Sequence, residues 1–293
     1  MKRQVDSERK DLLKIIKTVQ RAHDETAKFF NAQGLLPLTN SLADEELQSF
    51  IDPEKVKTAY SQGGLLIEAA ADHLMAFSRV LKEPAQTIAP WTCVRAVIET
   101  SALSAWLFDP GIDVNERVQR SLVYRCEGLT QEVKFLKASG DQAEVIRIKD
   151  RLEKVKQFAS NLGDYGVINK NKQRKKVALE MPSVTEIINK TLHEEAVYRL
   201  LSAMSHGHSW AHLQLGFRQV ENGEDPLFEK SLKPISIVFL CYKAILAFAR
   251  PCWNKTLLFN FDPDGLRKVL EPIADDLKIQ SGHRFWDMPI ETN

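Results

Sequence analysis

The sequence lacks the motifs that most directly announce a chemistry. It contains no Walker-type loop, no GxGxxG, no GxSxG and no HExxH, which removes the usual sequence grounds for a nucleotide, dinucleotide, serine-hydrolase or zinc-protease site. An excess of one charge is missing too. With 40 Lys and Arg against 39 Asp and Glu, any nucleic-acid contact has to come from a local patch rather than from bulk attraction. Cysteine is scarce: Cys93, Cys126, Cys241 and Cys252 are widely spaced and form no CxxC pair, so buried, reduced thiols are expected rather than a disulfide framework or a zinc site. The N-terminus, MKRQVDSERKDLLKII, has no apolar core of signal-peptide type, so a cytoplasmic location is expected. The longest apolar run, ISIVFLCYKAILAFA at 235–249, is short for a membrane span, carries Lys243 inside it and is flanked by Lys233 and Arg250. It reads as a buried core helix, with no membrane as partner. No internal repeat, Gly/Ser linker or shift in composition divides the chain.

What is present is helical pattern. Hydrophobic residues make up 44% and charged residues 27%, enough apolar side chain for a substantial core. Apolar residues recur near the helical period over 5–31, after Asp52-Pro53 to about Lys82, over 90–108, from Asp113 to about Ser139, over 142–162, 184–192, 193–206 and 232–250, and in PDGLRKVLEPIADDLK. Asp52, Asp113 and the Ser183/Glu186 pair read as caps. Gly140 and Gly207 read as stops. Gly63-Gly64 reads as a kink or break, and Pro251 as an interruption. ADEELQSF offers one short helical turn, and LQLGFRQV a short strand or extended arm. The expected architecture is all-α: a single helical domain over 1–293 with its core over 53–280, roughly nine helices, and at most a short hairpin near 213–230. The tail GHRFWDMPIETN, with Phe285 and Trp286, is free to dock on the body or on a partner.

Two places gather chemistry. The helix 90–108 is apolar or small nearly all round, so burial on all sides is expected, with Arg95 and Glu99 four apart as its only charges. Such charges must be satisfied. They form either a buried pair fixing helix register or the wall of a pocket beside His206, and removing Glu99 is expected to cost about 3–5 kcal/mol if the arginine is left unpaired. The second place is EAVYRLLSAMSHGHSWAH, residues 195–212. Glu195, Arg199, Ser202 and His206 share one face of this helix, and Val197, Leu200, Leu201 and Met204 the other. Histidine moves protons near neutrality and arginine stabilises a charged phosphate, so Arg199 and His206 suit metal-free RNA cleavage. The same face is also what a solvated surface helix shows, with Glu195 and Arg199 as a routine four-apart pair. His206, His208 and His212 lie close in sequence, but Gly207 ends the helix that would align 208 with 212, so neither a metal nor a cofactor is expected. The stretch NKNKQRKK at 169–176 belongs to an expected mobile basic loop over 163–182. Its Lys170, Lys172, Arg174, Lys175 and Lys176 are candidate RNA contacts, with a merely solvated loop as the alternative.

The stretches CVRAVIETSALSAWLF at 93–108 and YRLLSAMSHGHSW at 198–210 resemble the helical HEPN superfamily. The likeness is strongest to its branch of bacterial helical proteins related to abortive-infection factors, with an Arg-x-x-x-Glu helix followed later by a Ser-x-x-x-His-Gly helix end. The resemblance implies a metal-independent endoribonuclease of bacterial stress response or phage defence. Its Arg-x(4–6)-His motif falls on Arg199 and His206, with Glu195, Ser202, His208, Arg95 and Glu99 in support. It also implies RNA as substrate, an antitoxin or defence-system partner, and a homodimer that brings two motifs into one groove. The small Ser202 and Ala203 between Arg199 and His206 leave room for a second helix there. One departure stands out: active members usually carry Asn, Asp or His after the arginine, whereas this chain has Leu200. That departure favours the alternative, a non-catalytic HEPN-like module binding a protein partner or small ligand through the same face.

Overall fold

The computed structural model describes residues 2–161, 180–220, 227–230 and 234–277. Most of the basic loop expected over 163–182, including Lys170, Lys172, Arg174, Lys175 and Lys176, lies outside the described residues, as does the tail with Phe285 and Trp286. The described residues form helices α1 (Lys2–Gln33), α2 (Leu42–Ser49), α3 (Pro53–Val80), α4 (Ala89–Leu107), α5 (Val114–Ser139), α6 (Gln142–Asn161), α7 (Val184–Leu192) and α8 (Glu195–Ser205). A single turn, α9 (Ser209–Ala211), and a π-helical turn at His212–Gly216 follow, and then an antiparallel pair, β1 (Phe217–Val220) with β2 (Leu227–Lys230). Helices α10 (Pro234–Phe259) and α11 (Pro263–Leu277) complete the order. The class is helical, with the two-stranded hairpin falling where one was expected. Eleven helices stand among the described residues rather than roughly nine. The surplus lies in short pieces such as α2 and α9, too brief to carry a periodic pattern.

Local signals set many of the helix ends. The Asp52 carboxylate accepts from the Glu54 amide with Pro53 behind it, and Asp113 accepts from the Glu116 amide. Ser183 and Glu186 form a reciprocal capping box, as their spacing predicts. At the end of α5, Gly140 is left-handed (φ 82°), with Asp141 N–H on the Leu136 carbonyl.

Helix α4 is the axis of the packing: α3, α10, α7 and α8 all lie against it. Its buried side includes Trp91, Val94, Val97, Ile98, Ala102 and Leu107. On the far side of α3 and α10 sits α1, which also packs on α11, while α5 and α6 pair as the expected hairpin, with α5 against α3.

Three expectations are corrected by these contacts. Gly63 does not break α3. A Cβ there would stand 2.6 Å from Cε2 of Phe108, and the Ser104 hydroxyl donates to the Gly63 carbonyl over 2.8 Å. The glycine allows close approach of α4 and the Phe108 ring. Pro251 does not end α10, which runs on to Phe259. Its lost backbone bond is outweighed because Phe248, Ala249 and Cys252 around it are all buried, and packing overrides propensity. Helix α4, finally, is not buried all round. Along its first half Thr92 is exposed and Arg95 and Glu99 are part-exposed, because the short α8 covers only part of that flank.

Helix α10 is long and apolar enough, by length and composition alone, to cross a membrane, and 61% of its most apolar window is buried inside the fold. Lys243, in its middle, forms an ion pair with Glu194 at the N-terminal boundary of α8. This bond ties the core helix to the helix that carries the candidate site.

Candidate functional site

Helix α8 presents the two faces its pattern predicts. Tyr198, Leu201 and Met204 are buried, and Val197 and Leu200 pack partly against the same core. Arg199 and His206 are exposed, with Glu195 and Ser202 part-exposed beside them. Ala203 belongs to the buried side, so the stripe of small residues expected between Arg199 and His206 reduces to Ser202. Position 203 lies about 40° round the helix from Arg199 and about 60° from His206, at the edge of their face on the side that turns to the core.

The helix ends in a complete Schellman arrangement. Gly207 takes φ 75°, its N–H meets the Met204 carbonyl, and the His208 N–H meets the Ala203 carbonyl over 3.0 Å. Only a residue tolerant of the left-handed region fits there. The turn lifts His206 off the helix and starts a new direction. His208 becomes the residue before α9, exposed, and His212 folds back so that its Nε2 lies 2.7 Å from the Met204 carbonyl. A carbonyl only accepts, so that nitrogen carries the proton. His212 therefore caps α8, with its ring stacked 5.8 Å from that of Phe217. The three histidines thus point to separate tasks. Among the described residues no group of three or more His, Cys, Asp or Glu is placed to hold a metal ion.

The partner of His206 is not Arg199. Arg199 binds Glu195, Nη2 to Oε1 over 2.8 Å, with its side chain 69% exposed, and among the described residues no hydrogen bond joins it to His206. It is Arg95, across from α4, that reaches the imidazole, with Nη1 3.2 Å from His206 Nε2. Arg95 Nη2 donates to Glu99 Oε1 over 3.1 Å and to the Tyr198 hydroxyl over 3.4 Å, and the guanidinium lies 5.5 Å from the Tyr198 ring centre. The Tyr198 hydroxyl in turn donates to Glu99 Oε1. Ser205 donates to Thr92 over 3.3 Å, a second polar tie between α8 and α4. Burial pulls the Arg95 cation down, but Tyr198 and Glu99 outweigh it and hold the group above its ordinary value. Burial, followed by the bond to Glu99, raises the Tyr198 hydroxyl above its ordinary value.

The expected Arg95–Glu99 pair is thus present and stands beside His206, but it is not sealed. The two side chains are 23% and 30% exposed, which corrects the expectation of a largely inaccessible pair. Tyr198 went unnoticed in the sequence. Its signal was there: it is the polar-tipped member of the stripe Tyr198, Leu201, Met204, and a buried tyrosine hydroxyl requires a partner.

Comparison of the chain with family models, with curated proteins and with solved structures finds no match to any of them. An open cleft of about 440 Å3 lies away from this cluster, along α5, lined by Leu103, Tyr124, Arg125, Met181 and Val184 among others. The cysteines are free, as expected, with Cys93 part-exposed and the others buried. Burial pushes the Cys241 and Cys252 thiols up to about 12, so neither is a ready nucleophile.

Proposed function

We propose that this chain is a HEPN-like helical protein acting as a metal-independent endoribonuclease in bacterial stress response or phage defence, with His206 as its proton acceptor. The observation that carries the reading is the 3.2 Å approach of Arg95 to Nε2 of an exposed His206. A guanidinium has only donors, so the imidazole accepts at Nε2 and is neutral there. A neutral ring beside a cation is what abstraction of a ribose proton next to a phosphate requires.

An RNA phosphate entering this corner competes for Arg95, which turns its Nη1 to the anion and frees the Nε2 lone pair. His206 then takes the proton of the 2′-hydroxyl as that oxygen attacks phosphorus. The bond from phosphorus to the 5′ oxygen breaks, leaving a cyclic phosphate and, after a proton from solvent, a free 5′-hydroxyl end. In this reading Arg199 of a second copy supplies the further cation, within a homodimer whose groove runs past both α8 ends. Lys170, Lys172, Arg174, Lys175 and Lys176 are proposed to follow the RNA backbone, and an antitoxin or defence-system partner to restrain the activity.

A second reading has its own observation. Arg199 is tied to Glu195 and stands apart from His206, and Leu200 follows it. A non-catalytic HEPN-like module binding a protein or small ligand with the same face accounts for both features. The pure protein incubated with total RNA in chelator separates the readings. Cleavage by wild type that is lost in His206→Ala is the expected result. Wild type that leaves RNA intact supports the binding module, and cleavage that survives both His206→Ala and Arg199→Ala locates any nuclease elsewhere.

A further inference from the structure

The four polar groups between α4 and α8 differ in what they are able to exchange. Arg95 offers only donors, Glu99 only acceptors, and the Tyr198 hydroxyl does both. Their bonds fit one proton arrangement. Tyr198 gives its proton to Glu99 and accepts from Arg95 Nη2, Glu99 Oε1 accepts from both, and the remaining Nη1 of Arg95 is left to aim at His206. Among the described residues the buried Arg95 Nε has no partner, so the guanidinium is held through its two Nη groups and by the Tyr198 ring.

We propose that Tyr198 and Glu99 are positioning residues that act through Arg95 to lock His206 as the Nδ1–H tautomer, keeping the Nε2 lone pair turned toward the cation. A ring with its proton on Nε2 would set donor against donor at 3.2 Å, so the lock selects between tautomers as well as orienting the ring. Glu99 neutralises the guanidinium on one side, and Tyr198 fixes its plane and distance from α8. Removing either partner leaves Nη2 one bond in place of two, and Nη1 then loses its aim. The proposal takes from the ribonuclease reading the use of Nε2 as the accepting atom, but the lock exists in the protein without RNA.

The test is accordingly made without RNA. Nitrogen-15 spectra of histidine-labelled full-length protein, at mildly alkaline pH where imidazole is neutral, report the tautomer of each of the seven histidines, with His206 assigned from a His206→Gln spectrum. The wild type is expected to show His206 wholly as the Nδ1–H form. Tyr198→Phe, which deletes one oxygen, and Glu99→Ala, which deletes both acceptor oxygens, are each expected to lose that form in favour of the Nε2–H form that free histidine prefers. His212, held by the Met204 carbonyl, stays Nε2–H in every sample and marks a folded α8. Wild type with His206 as Nε2–H, or both variants retaining the Nδ1–H form while His212 is unchanged, would overturn the proposal. Should the lock be observed and RNA remain uncut, only the ribonuclease reading fails. Should RNA be cut with no lock, only the positioning role fails.

Discussion

Two arginine clusters are attached to the two ends of α4, and they differ most in how wet they are. Arg117 and Glu46 have side chains 0% and 13% exposed, and Arg117 spends its donors on both Glu46 oxygens and on the Leu107 and Asp109 carbonyls. Arg120 beside it binds Glu116, Asp109 and the Trp106 carbonyl. Together they close the C-terminal carbonyls of α4, which no intrahelical donor reaches. Towards the other end Arg95 is part-exposed, one of its nitrogens has no partner among the described residues, and one Nη faces a histidine at the surface. In the buried cluster every guanidinium nitrogen of Arg117 and Arg120 already has a partner. The open one keeps a donor that an incoming anion is able to claim. Identical residue types therefore serve architecture where water is excluded and are available for chemistry where it is not.

The comparison breaks most visibly under replacement of Arg117. Arg117→Met strands the Glu46 carboxylate among buried groups and uncaps α4, and is expected to destabilise the fold by about 3–5 kcal/mol. Denaturant unfolding measures this. Pairing it with Glu46→Leu is expected to recover much of the loss, because two apolar side chains leave no buried charge. A loss below about 1 kcal/mol in the single variant would mean that water reaches Arg117 and that the two clusters are alike.

The same substitution logic at the open end gives a smaller number. Glu99→Ala leaves Arg95 with solvent on one flank and the Tyr198 hydroxyl on another, so the expected cost is about 1 kcal/mol. Thermal unfolding read beside the Arg117 variant decides it. A cost equal to that of Arg117→Met would show the pair sealed after all, as the apolar run 90–108 predicts from sequence.

Why that run misleads is a matter of distance along the chain. Caps and stops are local: Asp52, Asp113, Ser183 with Glu186, Gly140 and Gly207 act on residues within one turn, and all five are legible in the sequence. The need of Arg95 and Glu99 for partners is legible as well, since charge in an apolar helix demands it. The identity of those partners is not. Arg95 meets His206 across 111 residues and Glu99 meets Tyr198 across 99, and periodicity says which face a side chain uses but not which helix faces it. Seven-residue spacing predicts one face for Arg199 and His206, and both side chains are exposed. It does not show that Arg199 turns back to Glu195, or that the Gly207 turn carries His206 toward α4. Gly63 and Pro251 went the same way. Each reads as a breaker by propensity and is overruled by packing that only the fold supplies.

The smallest expected effect is the most informative about Arg199. Its pair with Glu195 is a four-apart surface bridge with the arginine side chain 69% exposed, and such pairs contribute about 0.3–0.5 kcal/mol. Arg199→Ala should therefore unfold almost where wild type does, and should leave the His206 environment intact, because nothing described binds the two together. Any loss of RNA cleavage in this variant is then free of a folding explanation and reports contact with RNA. Arg95 offers no such clean reading, since it is both a brace between α4 and α8 and a candidate phosphate ligand. Within one chain Arg199 turns away from His206, so its contribution is expected only when a second copy brings it to the groove. Sedimentation at micromolar concentration is thus expected to find a dimer. A monomer that still cuts RNA with Arg199 replaced would leave Arg95 as the arginine of the site, and the open end of α4 would be complete in one chain.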